Sequence, residues 1–372
     1  MRLKILLLTA MAFAAALPAC AKMHKTAHSV AGGITRLEMD IGGRTQAITE
    51  GGGRPGNSYQ WPGIYFESRF QGDEVTLAFD DPSNNFNLII DGRAVALLKK
   101  PGKVAVTYSQ LGTGEHDIRL EKRSETQYAT GAFLGFSIPA NERALPPVRP
   151  VRQIEFIGDS YTVGYGNTSA FTQCTPDEIF ETTDAQEGFP ALVGKHYNAD
   201  YQINAFSGLG MVRNYDGREH PKYRMPMLYP RAIFDDSTPT AQPDWRPQII
   251  VVGIGGNDFS TDLHDDEPWK TRDALVADYE TTFVKFVQGI RAKNPGAFIL
   301  IDAPPAERAE YHDAITAVFT TLKTRDHNID ELTLPETDNT GCNGHPNIHD
   351  DAKVAGVLEA YFDAHPQVWQ GK

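Results

Sequence analysis

The chain has 372 residues, of which 41% are hydrophobic and 22% charged. These fractions exclude a disordered chain, and at roughly 150 residues per domain the length predicts about two domains. The 35 Lys and Arg against 48 Asp and Glu give a formal net charge of −13. That balance excludes a protein that binds the phosphate backbone of nucleic acids, because such binding needs a basic surface. The three cysteines exclude a disulfide-dense scaffold.

The N-terminus has the three-part pattern of a secretory signal peptide. Two positive charges precede an apolar run over 5–17 that ends in small residues, and this run is shorter than the roughly 20 residues that span a bilayer. We therefore expect residues 1–21 to direct export to the periplasm, the outer surface or the medium. The small residues around Cys20 fit simple cleavage, but the run ending at Cys20 also fits a lipobox, whose cysteine would carry a lipid anchor. Residues 22–33 are expected to be a polar lead.

Apolar and polar side chains alternate along several short runs between residues 34 and 138, of which 75–79 is one. Such alternation is typical of strands with one face on a core and the other in water. Asp91-Gly92 separates two apolar runs and predicts a tight hairpin, because both residues tolerate the positive φ of a type I′ turn. The pattern predicts a β-sandwich or jelly roll over 34–138. The four prolines of 139–152 predict a stiff linker.

From residue 153 to 372 short apolar runs alternate with helical patterns, which predicts an α/β domain. The expected strands are Ile154–Ile157, Tyr201–Phe206, Ile249–Ile254, Phe298–Ile301 and Ile329–Leu334. Apolar stripes predict one helix over 275–290 and another over 354–361. Strands that alternate with helices predict a parallel sheet covered on both faces. In such sheets ligands bind at the carboxyl ends of the strands.

Four loops at those carboxyl ends hold residues suited to acyl transfer. Ser160 follows the first strand, where its hydroxyl can face a cleft or cap a helix. Gly208 follows the second strand and either forms a turn or offers its N–H to a reacting oxygen. Asn257 follows the third strand and either bonds loop backbone or acts as an oxyanion donor. His345 precedes the last helix and can reach back to the first strand, while a zinc site with His349 has no matching carboxylate or cysteine cluster, so we expect no metal.

The order Ser, Gly, Asn, His resembles the SGNH (GDSL-type) hydrolases. The stretches GDSYTVGYGN, SGLGMVRNY, GIGGND and GCNGHPN resemble carbohydrate esterase family 2. This resemblance covers about residues 34–368. It implies a flavodoxin-like parallel five-stranded sheet with helices on both faces, preceded by an all-β jelly-roll domain. It also implies a serine esterase that deacetylates plant polysaccharides such as xylan and glucomannan through an acyl-enzyme, without a metal or organic cofactor.

The resemblance assigns roles to the loop residues. Ser160 matches the nucleophile and His345 the general base, while Gly208, Asn257 and the N–H of Ser160 match the oxyanion donors. His345 must be neutral to accept a proton, so its ordinary pKa predicts that activity falls as the pH drops toward about 6.5.

The sequence departs from the SGNH pattern at two positions. Many of these enzymes place an Asp three residues before the His, where this chain has Cys342. We therefore expect a Ser-His dyad, with Asp338 as the acid to test if a triad exists. Tyr161 stands where family members often carry Ile, which leaves the preferred sugar open.

The cysteines allow a specific pairing. Removal of Cys20 with the signal peptide, or its lipidation, leaves Cys174 near the Ser160 loop and Cys342 near His345. Disulfides persist in exported proteins, so we expect a Cys174–Cys342 disulfide; two unpaired buried thiols are the alternative.

Two other functions stay open. One is a different SGNH activity (lipase-like, arylesterase or peptidoglycan O-acetylesterase), which predicts a wide apolar acyl pocket. The other is a non-catalytic glycan-binding surface protein. The β-sandwich would either bind sugar or brace the catalytic domain, and Tyr59 and Trp61 would either stack on sugar or lie in the core. We expect a monomer whose partner is an acetylated polysaccharide or oligosaccharide.

Overall fold

The computed structural model describes residues 22–25, 33–50, 53–240 and 242–371. The predicted signal peptide and the Cys20 anchor lie outside these residues. Among the described residues, no helix is both long and apolar enough to cross a membrane.

Strands of the N-terminal part form two antiparallel sheets. They are β1 (Lys22–Lys25), β2 (Ile34–Arg36), β3 (Asp40–Gly42), β4 (Gln46–Glu50), β5 (Arg54–Tyr59), β6 (Tyr65–Gln71), β7 (Glu74–Asp81), β8 (Asn85–Ile90), β9 (Arg93–Lys99), β10 (Gly102–Ser109), β11 (Glu115–Lys122), β12 (Gly131–Pro139) and β13 (Arg143–Leu145). The first sheet has the order β1-β10-β7-β12-β5-β4, with β2 paired to β12. The second has the order β13-β6-β11-β8-β9, with β3 paired to β6.

The predicted all-β architecture is confirmed, and its inner faces carry the alternating apolar side chains. Val75, Leu77 and Phe79 are buried, whereas their polar neighbours in β7 are partly exposed. The hairpin between β8 and β9 turns at Asp91 and Gly92, whose φ values are 53° and 71°, as the type I′ prediction requires.

Two segments differ in detail from the sequence prediction. Part of the expected polar lead, β1, pairs with β10 and so belongs to the first sheet. Part of the predicted linker, β13, pairs with β6 at the edge of the second sheet. Edge strands of three or four residues add backbone hydrogen bonds without an alternating apolar face, so the pattern gave no signal for them.

The C-terminal part is an α/β unit. Its strands are β14 (Arg152–Gly158), β15 (Ala199–Ala205), β16 (Ile249–Gly253), β17 (Phe298–Ala303) and β18 (Ile329–Thr333). Its helices are α1 (Ser160–Val163), α2 (Pro176–Thr182), α3 (Phe189–His196), α4 (Met225–Leu228), α5 (Arg272–Lys293), α6 (Ala309–Lys323) and α7 (Ile348–Ala364). Short 3₁₀ turns lie at Tyr215–Gly217, Cys342–Gly344 and Pro366–Gln370.

All five strands of this sheet are parallel and follow the order β15-β14-β16-β17-β18. Helices α3 and α7 pack on one face, and α5 and α6 pack on the other. β14 is the first strand of this sheet along the chain. The next strand, β15, pairs on one side of it, and β16 pairs on the other. This reversal of strand order opens a crevice at the carboxyl end of β14, where ligands bind in such sheets.

The helical stripes predicted from the sequence face the core. In α5 the side chains at 275, 279, 283, 286, 287 and 290 are all buried. In α7, Val354 and Leu358 are buried, while Val357 and Tyr361 are half-buried at the edge of the stripe.

The two parts share one continuous apolar core. A single cluster joins residues of the β-sandwich to residues of α5, α6 and the intervening loops. Tyr59 and Trp61 belong to this cluster with no exposed surface, and the indole N–H of Trp61 donates to the Arg231 carbonyl at 2.8 Å. Of the two roles left open for these aromatic residues, the structure gives them the buried one.

Candidate active site

The carboxyl ends of β15, β14 and β16 meet at one edge of the sheet. Gly158 lies between Ala205 on one neighbour and Gly253 on the other. A cavity of about 1290 Å³ opens above this edge and is lined by both parts of the chain. The residues predicted for catalysis that line it are Ser160, Gly208, Asn257 and His345.

Ser160 is the first residue of α1, directly after β14. Asp159, rather than Ser160, caps this helix, because its carboxylate accepts the N–H of Tyr161. Gly158 must be glycine here, since a Cβ would lie 2.0 Å from Thr162 Oγ1. The tight turn leaves the Ser160 hydroxyl free of a capping role, and Oγ lies 2.8 Å from His345 Nε2.

His345 is held by backbone rather than by an acid. Its Nδ1 lies 3.0 Å from the Cys342 carbonyl oxygen, so Nδ1 carries the proton and Nε2 is free to accept one. Asp338, the acid named for a triad, does not hold this ring: the contact described for Asp338 is its backbone N–H, which donates to Asp350 at 2.8 Å. The described residues therefore form a Ser-His pair oriented by a carbonyl.

A disulfide fixes the histidine loop. Cys174 and Cys342 are bonded across a separation of 168 residues. Cys342 also packs on Gly166, whose φ of +59° places its backbone against the cysteine side chain. The link ties the loop after α1 to the carbonyl that holds the His345 ring.

Two tyrosines enclose the His345 imidazole. The ring of Tyr165 lies 4.4 Å from it and the ring of Tyr161 lies 5.5 Å from it, centroid to centroid. Burial lowers the pKa of His345 to about 4, because a buried imidazole loses the hydration that favours its charged form. The imidazole is thus neutral at neutral pH, as a general base must be.

Ser160 and Gly208 line the cavity, and their backbone N–H groups are the candidate oxyanion donors. Neither the Ser160 N–H nor the Gly208 N–H has an acceptor among the residues that the structure describes. Gly208 has φ +83°, a left-handed conformation that a side chain would strain. An added Cβ would also lie 2.9 Å from both Glu219 and His220.

The Asn257 side-chain amide uses both of its hydrogens. One is donated to the Leu209 carbonyl at 2.8 Å and the other to Asp159 Oδ2 at 3.2 Å. The first bond links the loop after β16 to the loop after β15. The second is longer, and its hydrogen is the one an incoming oxygen could share.

Two buried carboxyl groups line the cavity that holds the nucleophile. Burial raises the pKa of Asp159 to about 6 and that of Asp302 to about 7. Asp302 lies at the carboxyl end of β17. Arg308 lies over the Tyr161 ring at 5.3 Å and donates to its hydroxyl at 3.2 Å. This side of the cavity is therefore polar.

Among the residues that line this cavity and that the sequence did not identify are Tyr165, Arg308, Glu125 and Gln127. Tyr165 lies five residues after Ser160, so its proximity in the sequence was a local signal. Arg308 comes from the loop before α6, and Glu125 and Gln127 come from the β-sandwich. No spacing rule connects these positions to Ser160.

The described residues hold no group of three or more His, Cys, Asp or Glu that could bind a metal ion.

Comparisons with known proteins give a consistent result. Residues 41–147 match the family described as carbohydrate esterase 2 N-terminal. Residues 156–352 match the GDSL-like lipase/acylhydrolase family. An acetylxylan esterase / glucomannan deacetylase of Cellvibrio japonicus (strain Ueda107) is 41% identical over 334 residues, which are 90% of this chain and 92% of that protein.

Solved structures are similar over the same span. A carbohydrate esterase whose active site is described as having divergent catalytic and non-catalytic binding functions superposes with a TM-score of 0.85. It shares 40% identity and covers 90% of this chain and 100% of its own. A family two carbohydrate esterase from Clostridium thermocellum, in complex with cellohexaose, has a TM-score of 0.75 and 25% identity over 89% of this chain and 100% of its own.

Proposed function

The chain belongs to carbohydrate esterase family 2, and from this membership we propose that it is a serine esterase that removes O-acetyl groups from polysaccharides such as acetylated xylan and glucomannan. Its catalytic part has the SGNH fold, a parallel five-stranded sheet with helices on both faces. Two of the similar proteins, both from Cellvibrio japonicus, are named acetylxylan esterase / glucomannan deacetylase.

The observation that carries this proposal is the contact between Ser160 Oγ and His345 Nε2 at 2.8 Å. The cavity that holds this contact is about 1290 Å³ and is also lined by Gly208, and neither the Ser160 N–H nor the Gly208 N–H has an acceptor among the described residues. A nucleophile, a neutral base and unsatisfied donors within one crevice are the parts that acyl transfer needs.

In the reaction, His345 Nε2 takes the proton of Ser160 as Oγ attacks the acetyl carbonyl carbon. The charge that develops on the carbonyl oxygen is stabilised by the N–H groups of Ser160 and Gly208 and by the Asn257 amide. The protonated His345 then gives its proton to the departing sugar oxygen, which leaves an acetyl group on Ser160. Water, deprotonated by the same imidazole, attacks this ester and releases acetate.

The imidazolium formed in this cycle is stabilised by the Cys342 carbonyl, since a carbonyl oxygen accepts the Nδ1 proton in both states of the ring. A carbonyl carries less negative charge than a carboxylate, so it favours the imidazolium less. The enclosure of the ring by Tyr161 and Tyr165 also disfavours the charged imidazolium. Together they keep the resting base neutral.

The polar side of the cavity favours a short acyl group over a long one. Asp159, Asp302 and Arg308 line it together with Tyr311. A long alkyl chain would have to desolvate these groups without satisfying them, which costs free energy. A short acyl group such as acetyl avoids this cost, so the lipase-like and arylesterase alternatives are less well supported.

The setting of the enzyme follows from the same proposal. An acetylated polysaccharide or oligosaccharide would be the partner, and an exported protein, acting as a monomer without a cofactor, would meet it outside the cell. The signal pattern over 1–21 supports export, and Cys20 would carry a lipid anchor if the lipobox is used.

Three measurements test the proposal. A serine-reactive fluorophosphonate should label the wild type and not Ser160→Ala, and Ser160→Ala should release no acetate from acetylated xylan or glucomannan. Full activity in Ser160→Ala, or no labelling of the wild type, would reject the serine esterase. A series of 4-nitrophenyl esters should show a preference for acetate; a preference for chains longer than four carbons would favour the lipase-like alternative.

A further inference from the structure

The β-sandwich reaches the candidate site through the segment between β11 and β12. Glu125 and Gln127 of this segment line the cavity beside Ser207 and Gly208. They lie about 80 residues before the loop they contact, on the other part of the chain. The contact therefore exists only because the two parts pack against each other.

Both sides of Ser207 are held by this segment. The Glu125 carboxylate accepts the Ser207 N–H at 2.8 Å. The Gln127 side-chain amide donates to the Ser207 carbonyl at 3.3 Å. Ser207 is buried, so these bonds form in an environment where water does not compete well for the same groups.

The Ser207 carbonyl and the Gly208 N–H belong to one peptide group. A peptide group is planar, so a bond that fixes the direction of its C=O also fixes the direction of its N–H. A donor on the carbonyl oxygen polarises the amide and strengthens the hydrogen bond that the N–H can give, because hydrogen bonds in a chain reinforce one another. Gly208 lines the cavity, and its N–H has no acceptor among the described residues.

The backbone of Gln127 is itself unusual. Its φ is +50°, in the left-handed region that few non-glycine residues adopt. Such conformations cost free energy and persist where surrounding contacts require them, often at functional sites. Here the conformation brings the amide of Gln127 to the Ser207 carbonyl.

We propose that Gln127 is a positioning residue of the oxyanion hole, supplied by the β-sandwich, which orients and polarises the Ser207–Gly208 peptide with Glu125 holding the preceding N–H. This proposal rests on the proposed function, in which the Gly208 N–H stabilises the reacting oxygen. It gives the N-terminal part a role in catalysis that does not require it to bind sugar. The sandwich acts through the peptide and does not touch the reacting atoms.

The test uses the full chain with Gln127→Ala and with the nearly isosteric Gln127→Glu, which replaces the donor by a carboxylate. For both variants we expect kcat on 4-nitrophenyl acetate to fall about tenfold, a fraction of the 10²–10³ lost with a whole oxyanion donor, while KM changes less than twofold. An alkylboronic acid, which forms a tetrahedral adduct on the serine, should bind more weakly by a similar factor. A role limited to folding would not shift kcat and inhibitor affinity together at constant KM.

Gln46→Ala is the matched control. Gln46 is also a β-sandwich amide that bonds across to the other part, donating to Asp236 at 3.1 Å, but it does not line the cavity. It should lower the melting temperature as much as Gln127→Ala and leave kcat unchanged. The proposal is overturned if Gln127→Ala keeps wild-type kcat and boronate affinity, or if Gln46→Ala loses as much. Fluorophosphonate labelling of the wild type distinguishes the two possible failures. If the protein is not a serine esterase, the wild type is not labelled; if only the role of Gln127 is wrong, the wild type is labelled.

Discussion

His345 can act as a base only while its imidazole is neutral, and its surroundings determine the pH at which that holds. Burial lowers the pKa of His345 to about 4, whereas an exposed histidine titrates near 6.5. A group with a lowered pKa stays neutral until the pH falls through that value. We therefore expect kcat/KM to stay level from pH 8 to about pH 5 and to fall near pH 4, which replaces the limit of about 6.5 expected from the sequence.

Variants of Tyr165 test whether the fall in kcat/KM at low pH, the acid limb of the pH profile, is due to His345. Tyr165→Ala opens the ring enclosure and should move the limb toward higher pH, while Tyr165→Phe keeps the ring and should leave it in place. Asp159 has a raised pKa of about 6, so Asp159→Asn checks that the limb does not belong to this carboxyl. A wild-type limb at 6.5 that Tyr165→Ala does not shift would contradict the assignment.

Asn257 makes a second prediction at this scale. Asn257→Ala removes the amide hydrogen that faces Asp159 and, in our mechanism, is shared with the reacting oxygen. We expect kcat to fall by about 10²–10³, or on the order of 3–4 kcal/mol of transition-state stabilisation, with an unchanged far-UV CD spectrum. Steady-state kinetics on 4-nitrophenyl acetate would measure the loss.

Asn328→Ala provides the comparison for Asn257→Ala. Asn328 also donates its amide to a backbone carbonyl, that of Ala297 at 2.8 Å, but lies away from the cavity. It should destabilise the fold and leave turnover intact. If Asn257→Ala keeps kcat within threefold of the wild type, Asn257 is only a loop-bracing residue.

Ser160, Gly208 and Asn257 were visible in the sequence because each follows a strand within a short segment, and His345 because it lies in the loop between the last strand and the last helix. Strand ends converge in a parallel sheet, so their loops could be grouped without knowing the structure. The partners were not visible in this way. The Asp159 bond to Asn257 and the Gln127 bond to Ser207 join segments that only tertiary packing brings together.

At the scale of elements, the disulfide and the loop it holds form one unit. Cys342 supplies both the sulfur bonded to Cys174 and the carbonyl that orients His345. The bond closes a loop of 168 residues, and a link over so long a loop constrains the unfolded chain strongly. Its loss should therefore affect both stability and the histidine.

We expect the double variant Cys174→Ser/Cys342→Ser to lose about 2–5 kcal/mol in free energy of unfolding, measured by urea denaturation. Its kcat should fall as well, because the Cys342 carbonyl is no longer anchored. In the full, unprocessed chain, Cys20→Ser is the matched control, since it removes a cysteine that the pairing does not use. If the double variant denatures at the wild-type urea concentration, the bond has no structural role in solution.

Periodicity predicted the long elements well and the short ones poorly. The stripe of α5 and the β8–β9 hairpin were visible because their patterns extend over many residues or fix a turn. Strands β1 and β13 have three or four residues and lie at sheet edges. Tertiary pairing, rather than an amphipathic pattern, stabilises them.

At the scale of the whole molecule, the interface between the two parts is a buried core rather than a hinge. Arg44 of the sandwich lies 2.7 Å from Glu155 on β14, and both side chains are buried. The guanidinium also contacts Gln202 at 3.2 Å and lies 4.3 Å over the Tyr229 ring. The sequence could not predict this pair, because the partners are 111 residues apart in different patterns.

This pair predicts how the chain unfolds. Arg44→Met leaves the Glu155 carboxylate buried without a cation, which should cost about 3–5 kcal/mol, while Arg44→Met/Glu155→Gln removes the charge and should recover much of the loss. Because the apolar core crosses the interface, both parts should unfold together in one transition. Far-UV CD follows the unfolding of both parts, and the fluorescence of the Trp61 indole follows the interface. Two separate transitions, with only one shifted by Arg44→Met, would mean that the sandwich folds independently and that its hold on the Ser207–Gly208 peptide can be lost without unfolding the catalytic part.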